Sequence, residues 1–246
     1  NEALFQEEPP IQNKQLSSEQ LAGTQPLDLT KTPFPGFTLE RLELLNWGTF
    51  HQEIWTLETN GGATMIVGEN GCGKTSAGDA LLALLVPERG AGARFNSAGV
   101  SAKGGQKGRD LTTYITGEYS NTTSETGRSK ALMLRPPNSG YYTVILAVFK
   151  NDYTQSVVSL AWLMQARAEE GKSYKRYMYA EPRELSIANH FTKLGGKNLI
   201  DYKNAIKEQF GIVPCDESYW VKVRALLGLS ADGQSQRLFA KGISTK

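Results

Sequence analysis

The sequence has few of the residues that build disulfide frameworks and metal centres. Among its 246 residues are only two cysteines, Cys72 and Cys215, and two histidines, His51 and His190. So few cysteines exclude a disulfide-stapled scaffold, and the small number of ligands predicts no structural metal. No uninterrupted apolar run approaches the ~18 residues of a membrane span. We therefore expect a cytoplasmic α/β protein that is long enough to bury a core.

The first 35 residues differ in composition from the rest of the chain. Five acidic residues and a single lysine lie within the first 30 positions, and five prolines lie within the first 35. This composition predicts a disordered or loosely docked acidic tail over residues 1–35, followed by one domain over 36–246. Because the start is polar, we expect no signal peptide. Because the chain begins with Asn1 rather than Met, we expect it to be a piece of a longer protein.

Hydrophobic periodicity divides residues 36–246 into strands and helices. Alternating apolar residues predict strands, and apolar residues three or four positions apart predict helices. Residues 88–129 are poor in apolar residues and rich in glycine, so we expect a flexible basic and polar insertion there. The predicted strands cover residues 37–47, 51–57, 63–67, 141–149, 155–166 and 174–180. The predicted helices cover residues 74–86, 184–194, 201–210 and 217–227.

Residues 68–75 carry the most specific motif in the chain. The segment Gly-Glu-Asn-Gly-Cys-Gly-Lys-Thr matches the phosphate-binding pattern G-x-x-x-x-G-K-[ST] in full. Such a match is expected by chance in about 1% of chains of this length. The segment follows a short apolar stretch and opens an amphipathic helix, as this motif requires. The sequence therefore predicts a P-loop NTPase.

Each residue type in the loop has a chemical reason. Glycines let the backbone curl until successive N–H groups point at phosphate oxygens, and the helix that starts near Lys74 adds its positive dipole end. Lys74, the one catalytic candidate, reaches the β- and γ-phosphates, and the Thr75 hydroxyl ligates Mg²⁺. The predicted nucleotide-binding residues are Gly68, Glu69, Asn70, Gly71, Cys72, Gly73, Lys74, Thr75 and Ser76.

The loop leaves two chemical questions, the role of Cys72 and the identity of the base. A thiol at a helix N-terminus has a depressed pKa and reacts readily; alternatively, Cys72 is only a small neutral side chain that contributes its backbone N–H group. Proteins that read guanine carry the pattern N-K-x-D. Its one near match, at residues 13–16, ends in leucine and lies in the acidic tail. ATP is therefore the favoured nucleotide.

Three segments together resemble a known family. Residues 68–75 have the form G-x-N-G-x-G-K-[ST] that is typical of SMC- and RecN-like ATPase heads. They are preceded by Leu-Leu-Asn-Trp-Gly-Thr-Phe at 44–50 and followed by Asp-Ala-Leu-Leu-Ala-Leu-Leu-Val-Pro at 79–87. The sequence resembles the N-terminal head segment of MukB/MksF-type condensins, and most closely the JetC family, the SMC-like ATPase subunits of Wadjet plasmid-defence systems. The resemblance is strongest over residues 37–86 and does not cover residues 1–35.

The resemblance implies the N-terminal lobe of an ABC/SMC-type ATPase head, with a mixed sheet and helices. It implies a bacterial cytoplasmic ATPase that binds ATP and Mg²⁺, pairs with its own C-terminal lobe and dimerises with a second head across ATP. By the same resemblance, the full protein has a coiled coil and drives DNA loop extrusion in a plasmid-restricting complex. The implied partners are a kleisin, a small winged-helix (kite) subunit, a nuclease subunit and DNA bound without sequence specificity, and no membrane.

The resemblance also implies that residues after the first strand lie beside the nucleotide. For Trp47, and for the nearby Phe50, packing in the core is the alternative interpretation. The nucleotide-adjacent candidates are Asn46, Trp47, Gly48 and Thr49.

Two motifs of such heads are missing from this chain. Residues 194–197 faintly resemble the signature loop, and residues 211–217 faintly resemble the Walker B strand. Pro214 cannot sit in a central strand, so we interpret the two segments as a helix C-cap at Gly195 and an N-cap within 216–218. The chain alone is therefore predicted to be inactive. The position of the glutamine loop stays open.

The segment from Arg89 to Arg109 is purely basic. It contains five basic residues, six glycines and no acidic residue. Such a segment suits contact with the DNA phosphate backbone, and a solvated flexible loop is the alternative. The candidates for contact are Lys103, Lys107 and Arg109, and for Arg109 the sequence leaves open whether it meets nucleotide or DNA.

Three other functions stay open at this stage. The first is a chromosome-organising condensin of the MukB/MksF type, which these residues do not distinguish from a defence protein. The second is a self-contained P-loop kinase or NTPase, which requires a Walker B strand inside this chain. The third is a DNA-binding or interaction module that has kept the loop without binding ATP.

Overall fold

The computed structural model describes residues 36–87, 95, 110–123, 129–169, 172–192, 194–195 and 197–229. The acidic tail predicted at residues 1–35 lies outside the described residues. So do most of the basic segment and the whole of the C-terminal stretch from residue 230 onward.

Seven strands and five helices make up the described part of the chain. The strands are β1 (Thr38–Leu45), β2 (Ile54–Glu58), β3 (Glu118–Thr123), β4 (Ser129–Met133), β5 (Thr143–Asn151), β6 (Ser156–Glu169) and β7 (Lys172–Glu181). The helices are α1 (Lys74–Leu85), α2 (Leu111–Thr116), α3 (Ile187–His190), α4 (Leu199–Phe210) and α5 (Tyr219–Leu227). Five strands form one sheet in the order β2-β1-β5-β6-β7, with every described pairing antiparallel, and β3 and β4 form a separate hairpin.

The sheet is covered by helices on both faces. Because side chains alternate along a strand, neighbouring residues of β5 point to opposite faces. Ile145 packs in the cluster that contains α1, α2 and α5, whereas Leu146 packs in the cluster that contains α3 and α4. Burial on both faces explains why β5 is an almost continuous apolar run from Thr143 to Phe149. The P-loop helix α1 and helix α4 therefore lie on opposite sides of the sheet.

Helix α1 belongs to the hydrophobic cluster that also contains α2 and α5. Its residues from Ala80 to Leu85 are buried except Leu81. The helix ends at Leu85, just before Pro87, as predicted, because proline cannot continue a helix. At its far end, the Tyr219 hydroxyl of α5 donates to the Leu84 carbonyl at 2.9 Å. This contact fixes α5 at the C-terminal end of α1, away from the loop.

The strand predicted at residues 63–67 is wrong. The segment belongs to no described strand, and its apolar side chains face solvent: Met65 is 84% exposed, Ile66 42% and Val67 75%. The sequence has the composition of a buried strand, but a strand needs neighbours that take its backbone hydrogen bonds. Within the described residues no strand lies alongside to supply them.

Three other sequence predictions differ from the structure. The helix expected at 184–194 is only the single turn α3, which Ser186 caps by accepting from the Asn189 N–H group. The strand expected from 51 begins at Ile54, because Gln52 has a positive φ of 62°. The insertion expected at 88–129 contains α2 and β3. Asp110 and Thr113 start α2 with a capping box in which each side chain bonds the other's backbone N–H group.

None of the helices in the described ranges is long and apolar enough to span a bilayer.

Candidate nucleotide-binding site

Three glycines give the loop its curvature. Gly68, Gly71 and Gly73 have φ values of 155°, 88° and 98°, a region that side chains rarely adopt. Space is also limiting at the two ends of the loop. A Cβ on Gly68 would lie 2.7 Å from the Cys72 sulfur, and one on Gly73 would lie 2.6 Å from the Phe50 ring. Glycine is therefore required at both positions for steric reasons as well as conformational ones.

The Lys74 ammonium lies within the curve of the loop. Its Nζ donates to the Gly68 carbonyl at 2.6 Å and to the Glu69 carbonyl at 2.7 Å, and it lies 3.7 Å from the Cys72 sulfur. These are exposed contacts, so an anion that enters the loop replaces them at little desolvation cost. The charge that a nucleotide phosphate needs is thus already placed at the loop.

The start of α1 is left uncapped by side chains. Gly73 occupies the N-cap position with no side-chain hydrogen bond to the helix, and the first turn of α1 contains no acidic residue. The first N–H groups and the positive dipole end are therefore available to an anion. Thr75 is exposed in the same turn, where its hydroxyl is accessible to a metal ion. Curved backbone, lysine, helix start and hydroxyl together are the donor set that a Mg-nucleotide requires.

Trp47 and Ser76 lie one layer beneath the loop. Trp47 is fully buried, and its indole N–H donates to the Ser76 carbonyl at 2.7 Å. Its ring stacks on Tyr114, with centroids 4.4 Å apart and planes 7° from parallel. The structure thus places Trp47 in the core, where it supports the first turn of α1 and is out of direct reach of a nucleotide. Ser76 is also buried.

The other candidates after β1 have different roles. Asn46 bonds the Tyr142 carbonyl through its side-chain amide and accepts from the Gln52 N–H group, so both ends of its side chain are used within the protein. Gly48 is buried and donates its N–H group to the Tyr114 carbonyl at 2.8 Å. Thr49 is exposed. Of the four nucleotide-adjacent candidates, Thr49 alone has a side chain that is free to face a ligand.

Sequence reasoning missed three residues that build this layer. Tyr114 donates its hydroxyl to the buried Asp79 carboxylate of α1. Arg135 is buried beneath the 46–51 segment and bonds its carbonyl groups. Asp79 could have been found from the sequence, because it is a carboxylate in an otherwise apolar stretch of helix. Tyr114 and Arg135 could not, because their partners are distant in sequence.

The two rejected motifs lie far from the loop. Asp216 accepts the Met178 N–H group at 2.6 Å, and burial is the main cause that raises the pKa of its carboxyl. Tyr219, which follows the segment, bonds the Leu84 carbonyl, and Leu84 lies about 15 Å along the helix from Lys74 at 1.5 Å per residue. The Lys197 N–H group donates to Asp201, in the cap of α4. The described residues of these two segments belong to no strand.

The basic candidates Lys103, Lys107 and Arg109 lie outside the described residues.

Comparisons with known proteins support the presence of a phosphate-binding loop. Residues 39–102 match the family described as the P-loop containing region of AAA domain. No curated protein matches the chain. A chain solved in a study of the structural biochemistry of ATP-driven dimerization and DNA stimulated activation of SMC ATPases is similar, at 19% identity and a TM-score of 0.36, covering 84% of this chain and 99% of that chain. A TM-score at this level does not define a fold, so the assignment depends on the loop and the family match.

The loop, the helix that it opens and the family match together define the class of protein. The described chain has the sheet-and-helix fold of a P-loop NTPase lobe, as predicted, but every described strand pairing is antiparallel, so the described sheet is not the mixed one expected.

Labelling of Cys72 provides a test of the loop. Cys72 is exposed and Cys215 is buried, so a thiol reagent should modify Cys72 alone in the folded chain. Mg-ATP should slow this reaction, because the sulfur lies against Gly68 inside the loop. Labelling rates are followed by mass spectrometry with and without nucleotide, and Cys72→Ala is the control for any reaction at Cys215. Equal rates in both conditions would argue against nucleotide entering the loop.

Proposed function

We propose that this chain is the ATP-binding N-terminal part of an SMC-like ATPase head, and that it is completed by a C-terminal lobe. The loop and its helix support the nucleotide part of this proposal. Completion by a C-terminal lobe is supported by the exposed apolar segment Met65–Val67, which leads directly into the phosphate loop.

The exposed segment has the properties of an interior strand without its neighbours. Three consecutive large apolar side chains are exposed immediately before Gly68. In an α/β protein, the strand that leads into a phosphate loop is buried by flanking strands and helices. Adding strands from another polypeptide segment would bury these side chains and pair the backbone. We therefore assign the missing neighbours to the C-terminal lobe of the same protein.

The carboxylates of the chain support the same conclusion. Hydrolysis of ATP requires a carboxylate near the metal and the attacking water. The partial match that contains Asp216 lies near the far end of α1, and its carboxylate is engaged with β7. The catalytic carboxylate and the signature loop are therefore assigned to the C-terminal lobe and to a second head that dimerises across ATP.

The biological setting follows from the resemblance of residues 37–86. The protein acts in the bacterial cytoplasm, in a JetC-like, plasmid-restricting complex that extrudes DNA loops. Its partners there are a kleisin, a small kite subunit, a nuclease subunit and DNA. The alternative is a chromosome-organising condensin with the same head chemistry.

Pairing of the exposed segment is tested with the full-length protein. Residues 1–246 and the remainder of the protein are produced as two chains and purified together. Val67→Asp should abolish their association, because it puts a charge into the buried strand. Val221→Asp is the matched control, because Val221 is 59% exposed on α5, away from the loop. If Val67→Asp leaves the association unchanged, the proposed lobe arrangement is wrong.

The basic segment is tested in the same full-length protein. Replacing Lys103, Lys107 and Arg109 with glutamine should weaken DNA binding and lower the slope of log K against log salt by up to about 3, if all three contact phosphates. ATP affinity of the same variant shows whether Arg109 serves the nucleotide instead. If the variant binds DNA as tightly as the native protein and with the same salt dependence, the basic segment is a solvated loop that does not contact DNA.

A further inference from the structure

Arg135 is a charged side chain in the interior, beneath the nucleotide-binding layer. Only 1% of its surface is exposed. Burial of an arginine is costly unless its donors are all used, and here burial lowers the pKa of the guanidinium to about 10. The burial of a charged arginine at this position therefore indicates a specific role for its side chain.

The partners of Arg135 belong to two segments. Nε donates to the Ile115 carbonyl at 2.9 Å, and Nη2 donates to the Tyr114 carbonyl at 3.0 Å, both at the end of α2. Nη2 also donates to the Gly48 carbonyl at 2.7 Å, and Nη1 contacts the Phe50 carbonyl at 3.4 Å. The guanidinium thus joins the end of α2 to the 46–51 segment.

The junction is closely packed around the guanidinium. A Cβ on Gly117, the C-cap of α2, would lie 2.7 Å from Nη2 of Arg135 and 2.8 Å from the Gly48 carbonyl oxygen. His51 completes the set, with its Nδ1 3.2 Å from Nη1. One side chain thus reaches four carbonyl groups and an imidazole, and two of these carbonyl groups and the imidazole belong to the 46–51 segment.

The 46–51 segment in turn contacts the phosphate loop. The Phe50 ring lies beneath Gly73, the N-cap of α1, and the Trp47 indole bonds the Ser76 carbonyl in the first turn. The hydrogen bonds described for Arg135 reach neither the loop nor α1. Two routes lead from Arg135 to α1, one through the 46–51 segment and one through Tyr114, whose hydroxyl bonds Asp79, and the first is the route that reaches the phosphate loop.

We propose that Arg135 is a positioning residue, which holds the 46–51 segment against the first turn of α1 and so keeps the phosphate loop in its nucleotide-binding shape. This inference rests on the proposed ATP site. It requires the planar fork of a guanidinium, because the ammonium of lysine has the charge but cannot reach the same carbonyl groups on both sides.

The main test is Arg135→Lys in this chain, titrated with Mg-ATP at a temperature where circular dichroism shows it folded. We expect binding about tenfold weaker than in the native chain, by analogy with the lower end of what mutation of a residue behind the ligands costs a metal site. Arg183→Lys is the matched control, because Arg183 is an exposed arginine that bonds the Phe210 carbonyl. A purely structural role would lower the melting temperature and leave the affinity of the folded protein unchanged, and that result overturns the proposal.

Hydrogen exchange without nucleotide separates this inference from the proposed function. Arg135→Lys should speed exchange in residues 46–51 and 73–77 and leave β5 and β6 unchanged. If the native chain binds no ATP, the proposed function fails, and the exchange pattern alone decides whether Arg135 positions the loop. Unchanged exchange at 73–77 overturns the positioning role.

If Arg135→Lys does not fold, a second variant tests the same proposal. Phe50→Leu keeps an apolar side chain in a half-buried position but withdraws the ring from Gly73. It should also speed exchange at 73–77 and weaken Mg-ATP binding. A folded Phe50→Leu chain with native exchange and native affinity overturns the proposal, because the contact of the 46–51 segment with Gly73 then has no effect on the loop.

Discussion

Replacing Lys74 with alanine is expected to remove Mg-ATP binding and to leave the fold intact. The Lys74 ammonium makes its described contacts with two loop carbonyls and the neighbouring sulfur, all of them exposed, so its loss costs the core nothing. Charge-assisted hydrogen bonds contribute about 1.5–3 kcal/mol each. Losing those to the phosphates should therefore weaken binding on the order of 100-fold or more.

The measurement is a calorimetric titration of the Lys74→Ala chain with Mg-ATP, next to its thermal unfolding. Lys222→Ala is the matched control, since Lys222 is an exposed lysine on α5. We expect a melting temperature within a few degrees of native, since surface substitutions usually change stability by about 0.5 kcal/mol or less. Native affinity in Lys74→Ala would show that the loop does not bind the phosphates.

The purified chain is expected to hydrolyse ATP negligibly on its own. It supplies the groups that bind the phosphates and the metal, which are the Lys74 ammonium, the Thr75 hydroxyl and the N–H groups of the loop backbone. Phosphoryl transfer depends on placing charges around the γ-phosphate and orienting the attacking water. Without the carboxylate and the opposing loop, the rate should be lower by on the order of 10³-fold or more, or about 4 kcal/mol of barrier.

Turnover is measured by phosphate release from this chain and from the full-length protein. Activity should return only with the C-terminal lobe and a second head. Asp216→Asn should have no effect on either rate, because its carboxylate is engaged with the Met178 N–H group, near the far end of α1 from the loop. Rapid turnover by residues 1–246 that Asp216→Asn abolishes would support a self-contained P-loop kinase or NTPase instead.

Elements that depend on local pattern could be predicted from the sequence. Helix α1 follows from its apolar periodicity, the glycines before Lys74 and the stop at Pro87. Strands β5 and β6 follow from long apolar runs, and β7 follows from the turn residues that make a hairpin with β6. Helix α2 was missed because it lies next to a glycine-rich segment, although its capping box from Asp110 to Thr113 is visible in the sequence.

Features that depend on distant partners could not be predicted. Residues 63–67 have the composition of a buried strand, and the described chain has no neighbours for it. Arg135 has no local signal, because the carbonyl groups that bind it belong to residues 20 and 87 positions away. The same holds for Trp47, whose stacking partner Tyr114 lies on another element. The loop chemistry was therefore readable from sequence, and the layer that supports it was not.

The most direct test of the account is calorimetric titration of the native chain with Mg-ATP, repeated with inorganic tripolyphosphate in place of ATP. Tripolyphosphate carries the phosphates without the base, so it probes the loop alone. A nucleotide-binding loop at residues 68–76 should give weak but saturable binding of one molecule of either ligand per chain, and the two ligands should compete. A native, folded chain that takes up neither ligand at any concentration would contradict the assignment of residues 68–76 as a nucleotide-binding loop.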